Sequence, residues 1–276
     1  MNGADDRPRT LVVNCSILMQ DRSIPERLRA VAEAGFGAVE FWWPFPTATP
    51  SDADVATFVD AIRTFGLRLT GLNLFAGDMP AGDRGVLSWP GREQELVASA
   101  EIARGIGDAL GTRHFNALYG NRLAGTPAAD QDELAIRNLH RIAPILGAID
   151  GIVMIEPVSG AAAYPIRTAA DAAAVLDRAR ALNGPENLGL LFDLYHLAVN
   201  GDDVAAAIRE FGDRAVHVQL ADAPGRGAPG TGELPLVNWV RDLRELGYDG
   251  AVALEYTAPG GDPFAGLVLD NWRELA

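Results

Sequence analysis

The feature that most constrains this chain is an alternation. Short runs rich in Val, Leu and Ile trade places with longer Ala-, Arg- and Glu-rich stretches eight times. The short runs read as buried strands and the longer ones as amphipathic helices. The pattern predicts strands over residues 11–16, 38–42, 67–74, 113–118, 151–156, 188–194, 215–221 and 251–256. It predicts helices over residues 25–34, 52–65, 92–110, 130–146, 168–182, 202–211, 236–246 and 263–275. Glycines at 35, 66, 111 and 247 stand where helices should stop.

Eight strand–helix pairs in a chain of 276 residues point to an α/β fold of the (β/α)8 or TIM-barrel type. One domain is expected over residues 1–276, with 1–9 as a flexible polar tail. An open doubly wound sheet is the alternative, but no GxGxxG follows the first strand. The long connections follow strands 2, 3, 4, 5 and 7, all on the C-terminal face, where barrels of this type build their sites.

Composition narrows the chemistry. Hydrophobic residues make up 48%, enough for a large core, which excludes a disordered chain. All 23 basic residues are arginine. Without lysine, Schiff-base aldolases, pyridoxal-phosphate enzymes and P-loop NTPases are excluded. A net charge of −14 repels phosphate backbones, so no nucleic-acid partner is expected. Cys15 is the only cysteine, so neither an internal disulfide nor a Cys-rich zinc site can form. The polar N-terminus and the lack of a long apolar run predict a cytoplasmic protein with no membrane partner.

Apolar strands that end in polar residues carry the functional signal, because an unpaired buried charge is costly. Strand 5 ends in Glu156, strand 6 in Asp193 and strand 8 in Glu255, while strand 7 carries Gln219. On this strand map the four stand at one height on consecutive strands. Three carboxylates and an amide oxygen there suit one divalent cation, Mg²⁺ or Mn²⁺ rather than Zn²⁺. The competing reading pairs each acid with an arginine. Asn14, Glu40, Asn73 and Asn116 end other strands, where they either bind substrate hydroxyls and a carbonyl or tie down loops.

The histidines divide. His196 lies on the connection leaving strand 6, in reach of a ligand beside the metal. His217 shares the inward face with Gln219 one layer deeper and reads as a buried, hydrogen-bonded core residue. His140 reads as structural or surface, and His114 carries little signal. Arg226, in the glycine-rich stretch APGRGAPGTGE, would clamp a carboxylate or help cradle a phosphate. Trp42, Trp43 and Phe45 form an apolar wall over the mouth, a subunit interface, or plain packing. Cys15 reads as structural.

The segments AGFGAVEFWWPF, LNLFAGDMPAGDRG, IEPV, FDLYH, HVQLADAPGRGAPGTGEL and ELGYDGAVALEY, between residues 34 and 256, carry a resemblance. Taken together, they resemble the hydroxypyruvate isomerase family, within the wider xylose-isomerase-like barrel group. The resemblance implies a divalent metal held by Glu156, Asp193, Gln219 and Glu255, with Glu156 and Glu255 as the proton-transfer pair. It implies substrate contacts at His196 and Arg226. Related ketose 3-epimerases carry His at the strand-7 ligand position, so Gln219 favours the hydroxypyruvate isomerase branch. Two substrate-facing segments depart from the family pattern. FNALYGNR follows strand 4 instead of a His-Cys-Met-Ala-Gly stretch, and VSGAAAYPI follows strand 5 instead of an Asn-rich loop.

The expected activity is therefore isomerisation of a small hydroxy-oxo acid, hydroxypyruvate to tartronate semialdehyde, through an enediolate. Arg226, with Asn73 or Asn116, would hold the carboxylate. The alternatives are a 3-epimerase or isomerase of a longer ketose, oxo-sugar acid or inositol-derived ketone, and a non-catalytic sugar-acid binding barrel. A phosphodiesterase or endonuclease of the same barrel group fits poorly, because such sites gather several histidines and this chain has 4. The Trp42–Trp43 pair and the resemblance lean toward a homo-oligomer, dimer or tetramer.

Overall fold

A computed structural model of the protein describes residues 11–181, 184–258, 260, 262–267 and 272. Eight parallel strands close into a barrel in chain order: β1 (Leu11–Asn14), β2 (Ala38–Phe41), β3 (Arg68–Asn73), β4 (His114–Asn116), β5 (Ile152–Ile155), β6 (Leu188–Asp193), β7 (Ala215–Leu220) and β8 (Val252–Leu254). β1 pairs with both β2 and β8, which completes the ring. The helices are α1 (Ile24–Glu33), α2 (Asp52–Thr64), α3 (Glu93–Leu110), α4 (Ala128–Gly147), α5 (Ala169–Arg180), α6 (Leu194–Asn200), α7 (Val204–Phe211) and α8 (Leu236–Glu245).

Local chemistry explains the boundaries. At α2 the Ser51 hydroxyl accepts from Asp54 N–H, and the Asp54 carboxylate accepts from Ser51 N–H. Thr168 and Asp171 repeat this reciprocal box at α5. Each such cap contributes about 1 kcal/mol by satisfying donors the helix cannot use. The glycines expected to stop helices at 35, 66, 111 and 247 all have positive φ. β6 is buried along its whole length, as a strand covered by helices outside and by the barrel core inside must be.

Three expectations change. A single helix was expected after β6, but a separate helix, α6, leaves that strand directly. Asp193 is its N-cap, and its Oδ1 accepts from His196 N–H at 2.9 Å. His196 therefore sits in the first turn of α6, not on a loop. The predicted strands at β4 and β8 shorten to three residues each. The tail over 1–9 lies outside the described residues, and so does most of the last helix expected over 263–275. Among the described residues no helix is long and apolar enough to cross a membrane.

Candidate active site

The strand registers bring the polar strand ends together at the C-terminal mouth. Asp193 pairs directly with Gln219 across β6 and β7. Asn73 pairs with Asn116, and Asn14 with Glu40. Glu156 and Glu255 follow immediately after β5 and β8. Glu156, Asp193, Gln219 and Glu255 are each 1–5% exposed, so four polar groups share one buried volume.

Each side chain is aimed by particular partners. Glu156 Oε2 accepts from Asn116 Nδ2 at 2.6 Å, and no hydrogen bond reaches Oε1 from the described residues. Glu255 Oε1 accepts from Asn14 Nδ2 at 3.0 Å and from the Trp42 indole at 2.7 Å. Glu255 Oε2 accepts from Arg226 Nη2 at 2.8 Å, and the same nitrogen lies 3.6 Å from Asp193 Oδ2. The guanidinium also lies over the Tyr195 ring, 5.4 Å from its centroid. Asp222 organises the loop that carries Arg226. Its carboxylate accepts from the backbone N–H groups of Ala223, Gly230 and Leu234.

The electrostatics follow from burial and crowding. Burial pushes the Glu156 carboxyl well above the usual range, and the charges of Glu255 and Asp193 push it further. Burial likewise raises Asp193, although Arg226 opposes it. Glu255 is raised to about 7, chiefly by burial and against the pull of Arg226. Three carboxyl groups that resist ionising together would be relieved by a cation. Burial and the Arg226 charge lower His196 to about 3, so its ring is neutral near pH 7.

Buried oxygen atoms without a hydrogen bond test whether a metal fits. Asp193 Oδ2 and Gln219 Oε1 are buried and accept no hydrogen bond, a costly arrangement unless something else binds them. One ligand atom from each of Glu156, Asp193, His196 and Glu255 lies within 4.8 Å of the others. The His196 tautomer argues against its being one of the ligands. Ser159 N–H donates to His196 Nδ1 at 3.0 Å, so that nitrogen is an acceptor and the proton sits on Nε2. His196 therefore presents an N–H toward the carboxylates, with Nε2 3.6 Å from Asp193 Oδ2. The donors that remain are oxygen atoms, the kind that hard divalent cations take.

A model of the xylose isomerase-like TIM barrel family matches residues 28–274. The chain belongs to that family. Within it, a Streptomyces coelicolor protein provisionally named hydroxypyruvate isomerase is 44% identical over 92% of both chains. The hydroxypyruvate isomerase of Escherichia coli K12 is 29% identical, covering 88% of this chain and 91% of its own. A Cupriavidus necator protein named 2-oxo-tetronate isomerase is also 29% identical, over 90% and 92% of the two chains. These relatives are isomerases by name. A Brucella melitensis structure titled AP endonuclease, family 2, superposes with a TM-score of 0.83 at 30% identity, covering 94% of this chain and 97% of its own. A D-psicose 3-epimerase structure shares the barrel, with a TM-score of 0.73 at 20% identity over 96% and 94% of the two chains.

The structure sorts the remaining sequence expectations for this family member. Asn73 is nearly buried, and its side chain has no hydrogen-bond partner among the described residues. Asn116 spends its NH₂ on Glu156, leaving a buried, unpartnered Oδ1. Both oxygens of Glu40 are engaged by protein groups: His217 Nε2 at 2.6 Å on Oε2, and Asn14 and Gln219 on Oε1. Burial pushes the Glu40 carboxyl up, but His217, Gln219 and Asn14 together bring it below the usual range. His217 is a buried, hydrogen-bonded core residue, as expected. His140 is structural, with Nε2 2.9 Å from the Ala179 carbonyl oxygen. Cys15 is fully buried.

Trp42 is the residue whose role the sequence did not show. Its place after β2 suggested an apolar wall or a subunit contact, yet its indole N–H reaches Glu255. Trp43 instead donates to the Thr47 carbonyl and packs edge-on against Phe45. A tryptophan one residue past a strand that ends beside the site carried a weak signal, because ring orientation is set by the fold.

Proposed function

We propose that this protein interconverts hydroxypyruvate and tartronate semialdehyde by an enediolate route that depends on one divalent metal, Mg²⁺ or Mn²⁺. The observation that carries the reading is the convergence of three buried carboxylates with oxygens of Asp193 and Gln219 that accept no hydrogen bond. The kinship with isomerases over nearly the whole chain supports the same reading. One compact cluster among the described residues and the net charge of −14 favour it over a nucleic-acid substrate.

Glu156, Asp193, Gln219 and Glu255 would hold the metal. When bound, it supplies Lewis acidity toward the carbonyl and hydroxyl oxygens of the substrate. Glu156 removes a proton from the hydroxymethyl carbon, because its Oε1 is free of donors. Glu255 guides a proton onto the neighbouring carbon, and the hydroxyl proton passes between the two substrate oxygens. The neutral His196 Nε2–H donates to a substrate oxygen. Arg226 lies against Glu255 and Asp193, where it holds the substrate carboxylate with the free amide of Asn73.

A longer oxo-acid is the second reading, favoured by the relative named 2-oxo-tetronate isomerase. Turnover of hydroxypyruvate and of 2-oxo-tetronate, measured side by side with Glu156→Gln as the blank, separates the two. Faster turnover of hydroxypyruvate supports the first reading and the opposite order supports the second. Turnover of neither by metal-loaded protein contradicts both.

A further inference from the structure

Beneath the mouth of the barrel lies a polar layer that the proposed reaction leaves unused. Glu40, Asn14 and His217 are buried in the barrel interior at 1–3% exposure, level with or just below the site. A charged group in that position needs a reason, because an apolar filling of similar volume is usually no less stable.

The hydrogen-bond directions supply one. Asn14 Oδ1 accepts from the backbone N–H groups of Ser16 and Ile17, which fixes its amide orientation. Its NH₂ must then point inward, where it donates to Glu40 Oε1 at 2.9 Å and to Glu255 Oε1 at 3.0 Å. Glu40 Oε1 is thereby an acceptor. Gln219 turns its own NH₂ to that same oxygen, at 2.7 Å. The reverse orientation would set the Gln219 carbonyl oxygen against a carboxylate oxygen, lone pair to lone pair. With the NH₂ so committed, Gln219 Oε1 is the end left over, and it is a buried oxygen that accepts no hydrogen bond. His217 holds the other Glu40 oxygen at 2.6 Å and keeps the carboxylate from rotating away. Space for the pair comes from β3, where Gly71 has no side chain. A Cβ there would stand 3.3 Å from Glu40 Oε2 and 3.4 Å from Glu40 Cβ.

We infer that Glu40 is a positioning residue which, held by His217 and Asn14, locks the Gln219 amide so that its oxygen, not its NH₂, faces the metal. A glutamine has two nearly isosteric ends, and only one can bind a cation. An amide free to flip would spend part of its time presenting a donor to the ion. The lock makes a neutral side chain a dependable oxygen ligand. Glu40 therefore acts through Gln219 rather than on the substrate. The inference rests on the proposed metal site.

The test is Mn²⁺ binding to purified full-length apoprotein, followed by the electron paramagnetic resonance signal of free Mn²⁺. Glu40→Gln keeps the shape but replaces the carboxylate with a neutral amide, a weaker acceptor for the Gln219 NH₂, so the lock is loosened. Groups that orient a ligand typically change metal affinity roughly 10- to 100-fold, and a weakening in that range is expected. In a Gln219→Met background the same Glu40→Gln change should cost less than about threefold, because the amide it acts through is gone. Gly71→Ala removes no group but crowds Glu40, and it should weaken Mn²⁺ by an intermediate amount. It keeps the test open if Glu40→Gln does not fold. Equal losses in both backgrounds would overturn the lock, as would unchanged affinity in Glu40→Gln and Gly71→Ala. A wild-type protein that binds no Mn²⁺ would overturn the metal reading, and this inference with it. Binding by the wild type with no effect of the variants would overturn the inference alone.

Discussion

Glu156 and Glu255 reach the same small volume from β5 and β8, but the protein holds them differently. Glu156 takes one donor, from Asn116, on one oxygen. Glu255 takes side-chain donors on both oxygens, from Asn14, Trp42 and Arg226. A carboxylate with donors on both oxygens is fixed in place, and here only Oε2 keeps a lone pair to offer a cation. A carboxylate with a free oxygen can move and can take a proton. The contrast divides the proposed work, with Glu156, less hemmed in by donors, as the base and Glu255 as the anchored partner.

The largest effect should come from the base itself. Glu156→Gln is expected to lower kcat by roughly 10²–10⁴-fold, the usual worth of a positioned base. Its melting temperature without metal should not fall, because the substitution removes one of three crowded carboxylates. A variant with normal turnover would end the assignment. Chelating the metal comes next. It should abolish turnover and lower the melting temperature. The lost stabilisation is about 2.7 kcal/mol when the metal had been present at one hundred times its Kd. An unchanged melting curve together with retained activity would count against a resident metal.

Two donor deletions sharpen the comparison directly. Asn116→Ala removes the single donor to Glu156 and should cost about 1.5–3 kcal/mol of transition-state stabilisation, read from kcat/KM. Trp42→Phe removes one of several donors to Glu255 and should cost about 0.5–1.5 kcal/mol. The reverse order would break the distinction between the two glutamates. The smallest effect concerns Cys15, whose thiol burial pushes up to about 12 from an ordinary 9.0. The folded state holds that proton more tightly than the unfolded one. The stability it contributes is complete below pH 9.0 and is lost as pH rises toward about 12. At neutral pH a thiol-specific disulfide reagent should label Cys15 only as fast as the barrel opens. Rapid labelling of the native protein would show the residue to be accessible.

Much of this was legible because barrels write their sites into strand ends. An apolar run such as GLLFD, broken by one acid, announces both a strand and the residue at its mouth. Period and polarity sufficed for eight strands and for the placement of Glu156, Asp193, Gln219 and Glu255 at the barrel mouth. The interior layer was harder to assign. Glu40 ends a strand just as Glu156 does, and only the ring closure of β1 with β8 brings Asn14 within reach of Glu255 as well as Glu40. Helix α6 escaped because Asp193 serves two neighbours at once, one oxygen capping the helix and the other turned to the site. Trp42 escaped because a large apolar ring hides its single donor.

The central claim is a metal-dependent proton transfer on hydroxypyruvate. Proton NMR of hydroxypyruvate in D₂O, with purified protein and Mg²⁺ or Mn²⁺ beside a chelated control, tests it most directly. Metal-dependent loss of the hydroxymethyl signal as solvent deuterium enters is expected, with tartronate semialdehyde appearing. A hydroxymethyl signal that persists unchanged while the metal is demonstrably bound would contradict it.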